Sequence, residues 1–226
     1  MKVNEIFHSL QGEGFLAGTP SVFIRVSGCP LYCRWCDTKF ARSPQLGRDY
    51  SIEEIIDEVG KWRCRSVVIS GGEPMINPEL PDLVKRLKEN KKHITIETAG
   101  IAFIPGLACD LMSISPKLSN SIPIQSHFAK IHNKLRLNIT VLRQLIENYN
   151  YQLKFVVDSP NDLPEVRQTI EDIGNIDTKK VLLMLQAATK DKYLLKLPMA
   201  KLMCRQAGFA FSPRLQVLLW NNKRGT

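Results

Sequence analysis

Phe23-Ile24-Arg25-Val26-Ser27-Gly28-Cys29-Pro30-Leu31-Tyr32-Cys33-Arg34-Trp35-Cys36-Asp37-Thr38 is the most informative stretch of this 226-residue chain. Residues 20–27 are rich in β-branched and aromatic side chains, which predicts a strand. The loop that follows, from Gly28 to about Ala41, holds three of the six cysteines within eight residues. Gly28 and Pro30 shape a tight turn that keeps those thiols together. Four such ligands would complete a structural zinc site or a ferredoxin-type cluster. Here Cys64, Cys109 and Cys204 stand isolated and read as small buried hydrophobes. A cluster held by three thiolates leaves one iron open to a chelating small molecule, whereas a zinc knuckle would lack its fourth ligand.

Working outward, strands and helices alternate. Ser51 and Glu54 form a capping box for a helix reaching about Arg63. Ser66–Ser70 reads as a short buried strand, broken by Gly71-Gly72-Glu73-Pro74. A helix from about Pro78 to Asn90 and strands over His93–Glu97 and Asp110–Ser115 follow. Leu137, Val141, Leu145 and Ile146 give helical periodicity to 133–149. Beyond these lie a strand over 154–157, a helix over 160–173 and a strand over 180–186. A helix over 190–207, kinked at Pro198, and a strand over 211–219 complete the pattern. It predicts a largely parallel sheet with right-handed crossovers. About six units are too few for a closed eight-stranded barrel, so we expect an open, partial (β/α) barrel in one domain, 1–226. The unusual polar segments all fall at strand ends: the cysteine loop, Gly71–Pro74, Glu97–Gly100, Ser115-Pro116-Lys117 and Gln186. Functional groups gather on that rim in such sheets.

Composition narrows the class further. No run of about 18 apolar residues suggests a membrane span, and residues 1–5 enter a strand-like stretch rather than an export signal. A cytoplasmic protein with no membrane partner is expected. The net charge of +9 is accounted for first by solvated helix faces, then by a pocket for an anionic substrate. Direct nucleic-acid binding is the weakest of the three explanations. The four histidines show no metal-ligand spacing.

The C-x3-C-x2-C spacing, joined to Gly71-Gly72-Glu73-Pro74 after a buried strand, resembles the radical S-adenosylmethionine enzymes. The resemblance implies a [4Fe–4S] cluster on Cys29, Cys33 and Cys36, with S-adenosylmethionine chelating its open iron. Reductive cleavage would then yield a 5′-deoxyadenosyl radical. Gly72 would approach the cofactor closely and Glu73 would meet its amino group.

Three further segments carry a narrower likeness. Phe7 to Gly14 places Gln11 and Glu13 in a glycine-rich turn. Arg25 lies in an apolar strand and needs a carboxylate partner, either an internal acid or the substrate. Thr38 sets a hydroxyl beside the cysteines, suited to Mg²⁺. Together with Trp220-Asn221-Asn222-Lys223-Arg224-Gly225, they make the chain resemble the 7-carboxy-7-deazaguanine synthase family of queuosine and deazapurine biosynthesis. That implies a carbon–nitrogen lyase converting 6-carboxy-5,6,7,8-tetrahydropterin to 7-carboxy-7-deazaguanine with loss of ammonia. By position, Leu10, Gln11, Gly12, Glu13, Arg25, Ser70, Glu97, Gln216 and the end of the chain at Thr226 would form the pterin site. Trp35, Cys36, Asp37, Gly72, Ser115, Pro116, Lys117 and Gln186 would contact S-adenosylmethionine, and Thr38 would ligate Mg²⁺. A flavodoxin-like reductant and a homodimer are also implied. Two departures stand out: Arg214-Leu215-Gln216 where Arg-Leu-His is expected, and Ala-Ala-Thr after Gln186 where a proline-containing turn is expected. A glycyl-radical activase shares the first two motifs and is the alternative.

Overall fold

Alternation along the strands sets the layers of this protein. The computed structural model describes residues 1–226. Its strands are β1 (Lys2–Leu10), β2 (Pro20–Val26), β3 (Arg48–Asp49), β4 (Ser66–Gly71), β5 (His93–Thr98), β6 (Leu111–Ile114), β7 (Tyr151–Val157), β8 (Val181–Leu185) and β9 (Ala210–Ser212). The helices are α1 (Ile52–Gly60), α2 (Leu80–Glu89), α3 (Ala129–Leu135), α4 (Ile139–Asn148), α5 (Leu163–Ile173), α6 (Lys190–Ala207) and α7 (Leu215–Trp220). One sheet takes the order β3-β1-β2-β4-β5-β6-β7-β8-β9. β1 is antiparallel to β2 and β3, and every pairing from β2 to β9 is parallel. The sheet does not close, as expected.

The strand order advances steadily from β2, so right-handed crossovers put the connecting helices on one face. That face is aliphatic. Ile24, Ile69, Ile96, Ile114 and Phe155 share one core with Ile55 of α1, Leu83 of α2, Leu145 of α4 and Val166 of α5. Their neighbours one residue along point to the other face, where Arg25, Ser70, Glu97, Ser113 and Lys154 line a cavity. Parallel register sets Arg25 beside Ser70, and Glu97 beside Ser113. β2, β4, β5, β6 and β7 are thus apolar toward the helices and present a polar side chain to the cavity.

The loop over 11–19 folds back across the polar face. The Gly14 amide donates to Ser212 Oγ at 2.9 Å, and the Phe15 amide donates to Gln152 Oε1 at 2.9 Å. Gly14 has φ +71°, and a Cβ there would lie 2.2 Å from the Gln152 amide nitrogen. Only glycine fits.

Several boundaries differ from the expected ones. The helix expected over 133–149 is two helices, because Asn138 caps a new start by accepting from the Val141 amide at 3.2 Å. The turn expected over 7–14 begins only at Gln11, since Phe7–Leu10 belongs to β1. The last strand stops at Ser212: Pro213 cannot donate to a ladder, and residues 215–220 wind into α7. Helix α6 runs on through Pro198. No helix is long and apolar enough to cross a membrane.

Phe155 is fully buried on the helix-facing side. Phe155→Ala is expected to cost about 3–5 kcal/mol, read as a lowered urea midpoint with an unchanged slope.

Candidate active site

The strand ends and the cysteine loop enclose a cavity of about 280 Å³. Leu10, Gln11, Gly12, Glu13, Arg25, Ser70, Glu97, Gln216 and Thr226 line it, as do Trp35, Cys36, Asp37, Thr38, Gly72, Ser115 and Lys117. Cys29 and Cys33 share that wall. Three expected residues, Glu73, Pro116 and Gln186, do not face it.

The cysteine loop is pinned on both sides. Its Gly28 and Cys29 amides donate to the carbonyls of Ala41 and Arg42, each at 2.9 Å. On the far side the Arg34 amide donates to the Ser121 carbonyl at 2.9 Å, and the Trp35 indole donates to the Asn120 carbonyl at 3.1 Å. The Tyr32 amide donates to Nδ1 of His132 at 3.0 Å. Burial, with Arg136 and Lys117 nearby, lowers the His132 pKa to about 4. The ring is therefore neutral, and with Nδ1 accepting, Nε2 carries the hydrogen toward Ser121 Oγ at 2.9 Å.

Gly72 completes the wall. A Cβ on it would sit 2.0 Å from the Gly28 carbonyl oxygen; the Gly72 and Glu73 amides donate to the carbonyls of Val26 and Gly28, both at 2.8 Å. Glu73 itself turns inward. Its carboxylate accepts from Thr98 Oγ1 at 2.6 Å, the Ala99 amide at 2.8 Å and the Met75 amide at 3.1 Å. It braces the Thr98–Gly100 turn, and its ligands come from the chain itself rather than from the cavity.

Burial pushes the Cys29 thiol up to about 12 and raises that of Cys33 as well. Such thiols keep their protons until a metal displaces them, so loading releases protons. No three His, Cys, Asp or Glu side chains converge tightly enough for a single ion. Three soft thiols spread along one wall, beside a glycine edge, suit the separate irons of a cubane with one iron left open.

A charged interior lines the same cavity. The Lys154 ammonium donates to Glu13 Oε2 at 2.5 Å, the Gln216 amide donates to Glu13 Oε1 at 2.7 Å, and Arg214 Nε lies 3.6 Å from the same oxygen. Burial opposes ionisation of Glu13, but Lys154 and Arg214 override it and hold the pKa at about 2. Arg214 also bridges to Asp37 and to the Ala187 carbonyl. Glu97 accepts from Gln11 Nε2 at 3.1 Å and from Ser70 Oγ at 2.7 Å. Arg25 donates to Glu5 Oε1 at 2.7 Å, so its resident partner is an internal acid. Arg224 shares Glu5 at 2.9 Å and lies over the Phe40 ring. The Lys117 ammonium donates to the Ser115 carbonyl at 2.7 Å and lies 5.9 Å from the Trp35 ring centre.

Against known proteins, residues 23–136 match the model described as the Radical SAM superfamily. The 7-carboxy-7-deazaguanine synthase of Rhodopirellula baltica is 40% identical over 228 residues, spanning 99% of this chain and 88% of the relative. The chain belongs to that family. The synthase of Halobacterium salinarum is 35% identical, over 98% of this chain and 91% of its own length. The crystal structure of QueE from Escherichia coli superposes with a TM-score of 0.69 at 23% identity, covering 93% of this chain and 92% of that one, which supports the fold. Membership of the radical S-adenosylmethionine superfamily brings a [4Fe–4S] cluster and S-adenosylmethionine as cofactors.

Sequence reasoning passed over several residues of this family member. Lys154 lies in Leu153-Lys154-Phe155-Val156-Val157, and a lone lysine in an apolar strand is the same signal that singled out Arg25. His132, set aside for want of metal spacing, anchors the cysteine loop instead. Gln216 takes the position expected to be histidine and donates to Glu13, while its Oε1 is buried without a partner.

Glu13 has a depressed pKa, so its contribution to stability is full above about 4.5 and is lost as the pH falls toward about 2. Lys154→Met is expected to cost about 3–5 kcal/mol at pH 7 by leaving a buried carboxylate short of its main partner. The deficit should narrow in urea melts at pH 4, where the stranded carboxylate takes up a proton.

Proposed function

We propose that this chain is a carbon–nitrogen lyase that converts 6-carboxy-5,6,7,8-tetrahydropterin to 7-carboxy-7-deazaguanine and ammonia. One observation carries the reading: three cysteines and a set of paired, buried charges line one small cavity. The first suits a radical source and the second a polar, carboxylated heterocycle. The names of the relatives point the same way.

In this reading Cys29, Cys33 and Cys36 hold the cluster. Trp35, Cys36, Asp37, Gly72, Ser115 and Lys117 hold S-adenosylmethionine, with Gly72 giving the close backbone approach. When bound, these cofactors supply a radical that takes one hydrogen atom from the substrate. The remaining work belongs to the charged and polar residues of the cavity. Arg25 offers its guanidinium to the substrate carboxylate, exchanging or sharing its contact with Glu5. Glu13, kept anionic by Lys154 and Arg214, accepts from ring N–H groups. Gln11, Ser70 and Glu97 form one hydrogen-bonded unit that presents both donors and acceptors to the pterin edge. Gln216, with an unpartnered Oε1, adds an acceptor, and Leu10 and Gly12 shape the floor. Thr226 closes the site on the side of Arg224.

For Mg²⁺ we assign Thr38. Its hydroxyl donates to the Gly71 carbonyl at 3.2 Å, which leaves the oxygen lone pairs for a hard cation held jointly with the substrate carboxylate. The same proposal includes a flavodoxin-type reductant and a homodimer, implications of family membership.

The decisive measurement is anaerobic turnover of reconstituted protein with the carboxypterin, with and without Mg²⁺, followed by mass detection of the deazaguanine. Cleavage of S-adenosylmethionine without pterin turnover would favour the activase instead. Arg25→Met is expected to raise KM roughly 10- to 100-fold, as for loss of a charged hydrogen bond, with cofactor cleavage in the absence of substrate unchanged.

A further inference from the structure

We propose that Glu5 and Arg224 are positioning residues that fasten residues 222–226 against the cavity when a substrate carboxylate occupies Arg25. The inference rests on the assignment of Arg25 to that carboxylate. It adds the route by which occupancy of Arg25 reaches the C-terminal segment.

One carboxylate serving two guanidiniums is the first observation. Strand register sets Glu5 of β1 opposite Arg25 of β2. Glu5 Oε1 accepts from Arg25 Nε at 2.7 Å, and Glu5 Oε2 accepts from Arg224 Nε at 2.9 Å. The Phe40 ring adjoins both cations, 5.8 Å from Arg25 and 4.2 Å from Arg224. Glu5, Arg25, Phe40 and Arg224 all line the cavity. Each guanidinium has Glu5 as its one acidic partner. The trio therefore carries one positive charge in excess, which an incoming carboxylate neutralises.

A bulge in β1 is the second. The register of β1 on β2 slips between Val3 and Glu5, leaving Asn4 as the extra residue. Consecutive side chains of a regular strand point to opposite faces, and a bulge re-aims one of them. Asn4 Oδ1 accepts from Arg224 Nη2 at 2.7 Å, beside the Glu5 contact. The same Asn4 donates through Nδ2 to the Phe40 and Leu46 carbonyls at 3.1 and 3.0 Å. Arg224 thus meets β1 and the segment after the cysteine loop at one point.

The path of the segment is the third. Asn221 and Asn222 take the left-handed conformation, with φ +52° and +60°, and so lead the chain out of α7. The Asn221 side chain accepts from the Lys190 amide at 2.8 Å, fixing the turn to the start of α6. The Asn221, Asn222 and Lys223 amides donate to the carbonyls of Val217, Gln216 and Trp220. Beyond this turn Arg224 ties the segment to β1. Its side chain is 55% exposed, so the latch is weak and reversible.

These contacts set up an exchange. A carboxylate taken up by Arg25 relieves Glu5 of one of its two cations, and Arg224 then holds the Glu5 charge alone. The Arg224 contact strengthens, and residues 222–226 close on the ligand. Coupling is reciprocal, so the affinity gained cannot exceed the factor by which the ligand holds the segment shut.

The test uses cluster-loaded protein with Mg²⁺ and two stable probes, pterin-6-carboxylate and pterin lacking the carboxylate. Binding is measured by calorimetry, and hydrogen exchange is followed at the 221–223 amides. Pterin-6-carboxylate is expected to slow that exchange about three- to fivefold, the scale of a half-exposed ion pair, and pterin to leave it unchanged. Arg224→Met should abolish the slowing and weaken pterin-6-carboxylate binding by no more than that factor, with pterin binding within twofold. Arg224→Lys, which reaches Glu5 or Asn4 but not both, should restore part of each effect. Glu5→Gln should also abolish the slowing, yet keep pterin-6-carboxylate affinity within about threefold, because it removes the competitor for Arg25. Slowing that persists in Arg224→Met, or equal slowing by both probes, would overturn the latch. An affinity loss far larger than the slowing would place Arg224 on the ligand itself and overturn its action through Glu5. Equal affinity of the unaltered protein for both probes, or a carboxylate preference that survives Arg25→Met, would instead sink the assignment of Arg25 on which the latch depends.

Discussion

The buried pair between Lys154 and Glu13 is the constraint around which this cavity is organised. A parallel sheet is ordinarily covered by apolar layers on both faces. Here one face meets helices and the other meets the 11–19 loop, a polar segment that brings a carboxylate with it. An isolated charge in that position would be prohibitive. Lys154 from the middle of β7, Arg214 before α7 and Gln216 within α7 converge on the two oxygens of Glu13 and make the arrangement tolerable. The loop, the sheet and the C-terminal segment are thereby tied to one carboxylate, and the open barrel gains a floor without becoming hydrophobic.

The cysteine wall follows a different logic. It is built from backbone rather than charge: Gly72 against the Gly28 carbonyl, the Cys29 amide on Arg42, the Arg34 amide on Ser121. Neutral His132 belongs to this scheme, because a protonated ring could not accept the Tyr32 amide. One wall stays fixed in shape while its thiols exchange protons for iron. The other keeps its charges paired until a substrate competes for them.

Much of this was legible in the residues. The cysteine spacing and the Gly71–Pro74 break named the chemistry through their likeness to the radical S-adenosylmethionine enzymes. Arg25 declared itself through its apolar neighbours, and Ser51 with Glu54 formed the capping box expected. Other features were hidden for physical reasons. Glu73 looked like a ligand for a cation, yet its three donors come from chain segments about two and twenty-five residues away, a pairing that no local pattern shows. Asn138 was read as one position within a long periodic run, although asparagine is a strong helix start.

The glycines of the 11–19 loop set a limit on how the sequence of this site can drift. A Cβ at Gly12 would fall 1.9 Å from Gln216 Oε1, and one at Gly14 would fall among the atoms of the Gln152 amide. Each glycine is therefore matched to a particular long amide far away in the chain, and a side chain at either position requires that amide to move. A mutational library that randomised the loop by itself would find position 14 closed and position 12 open only as far as the Gln216 side chain can turn aside. One that varied 12 with 216 could open the floor and admit a bulkier ring system, making that pair the practical handle for altering substrate scope; 14 would stay closed to most residues even with 152 varied, because its positive φ disfavours any side chain.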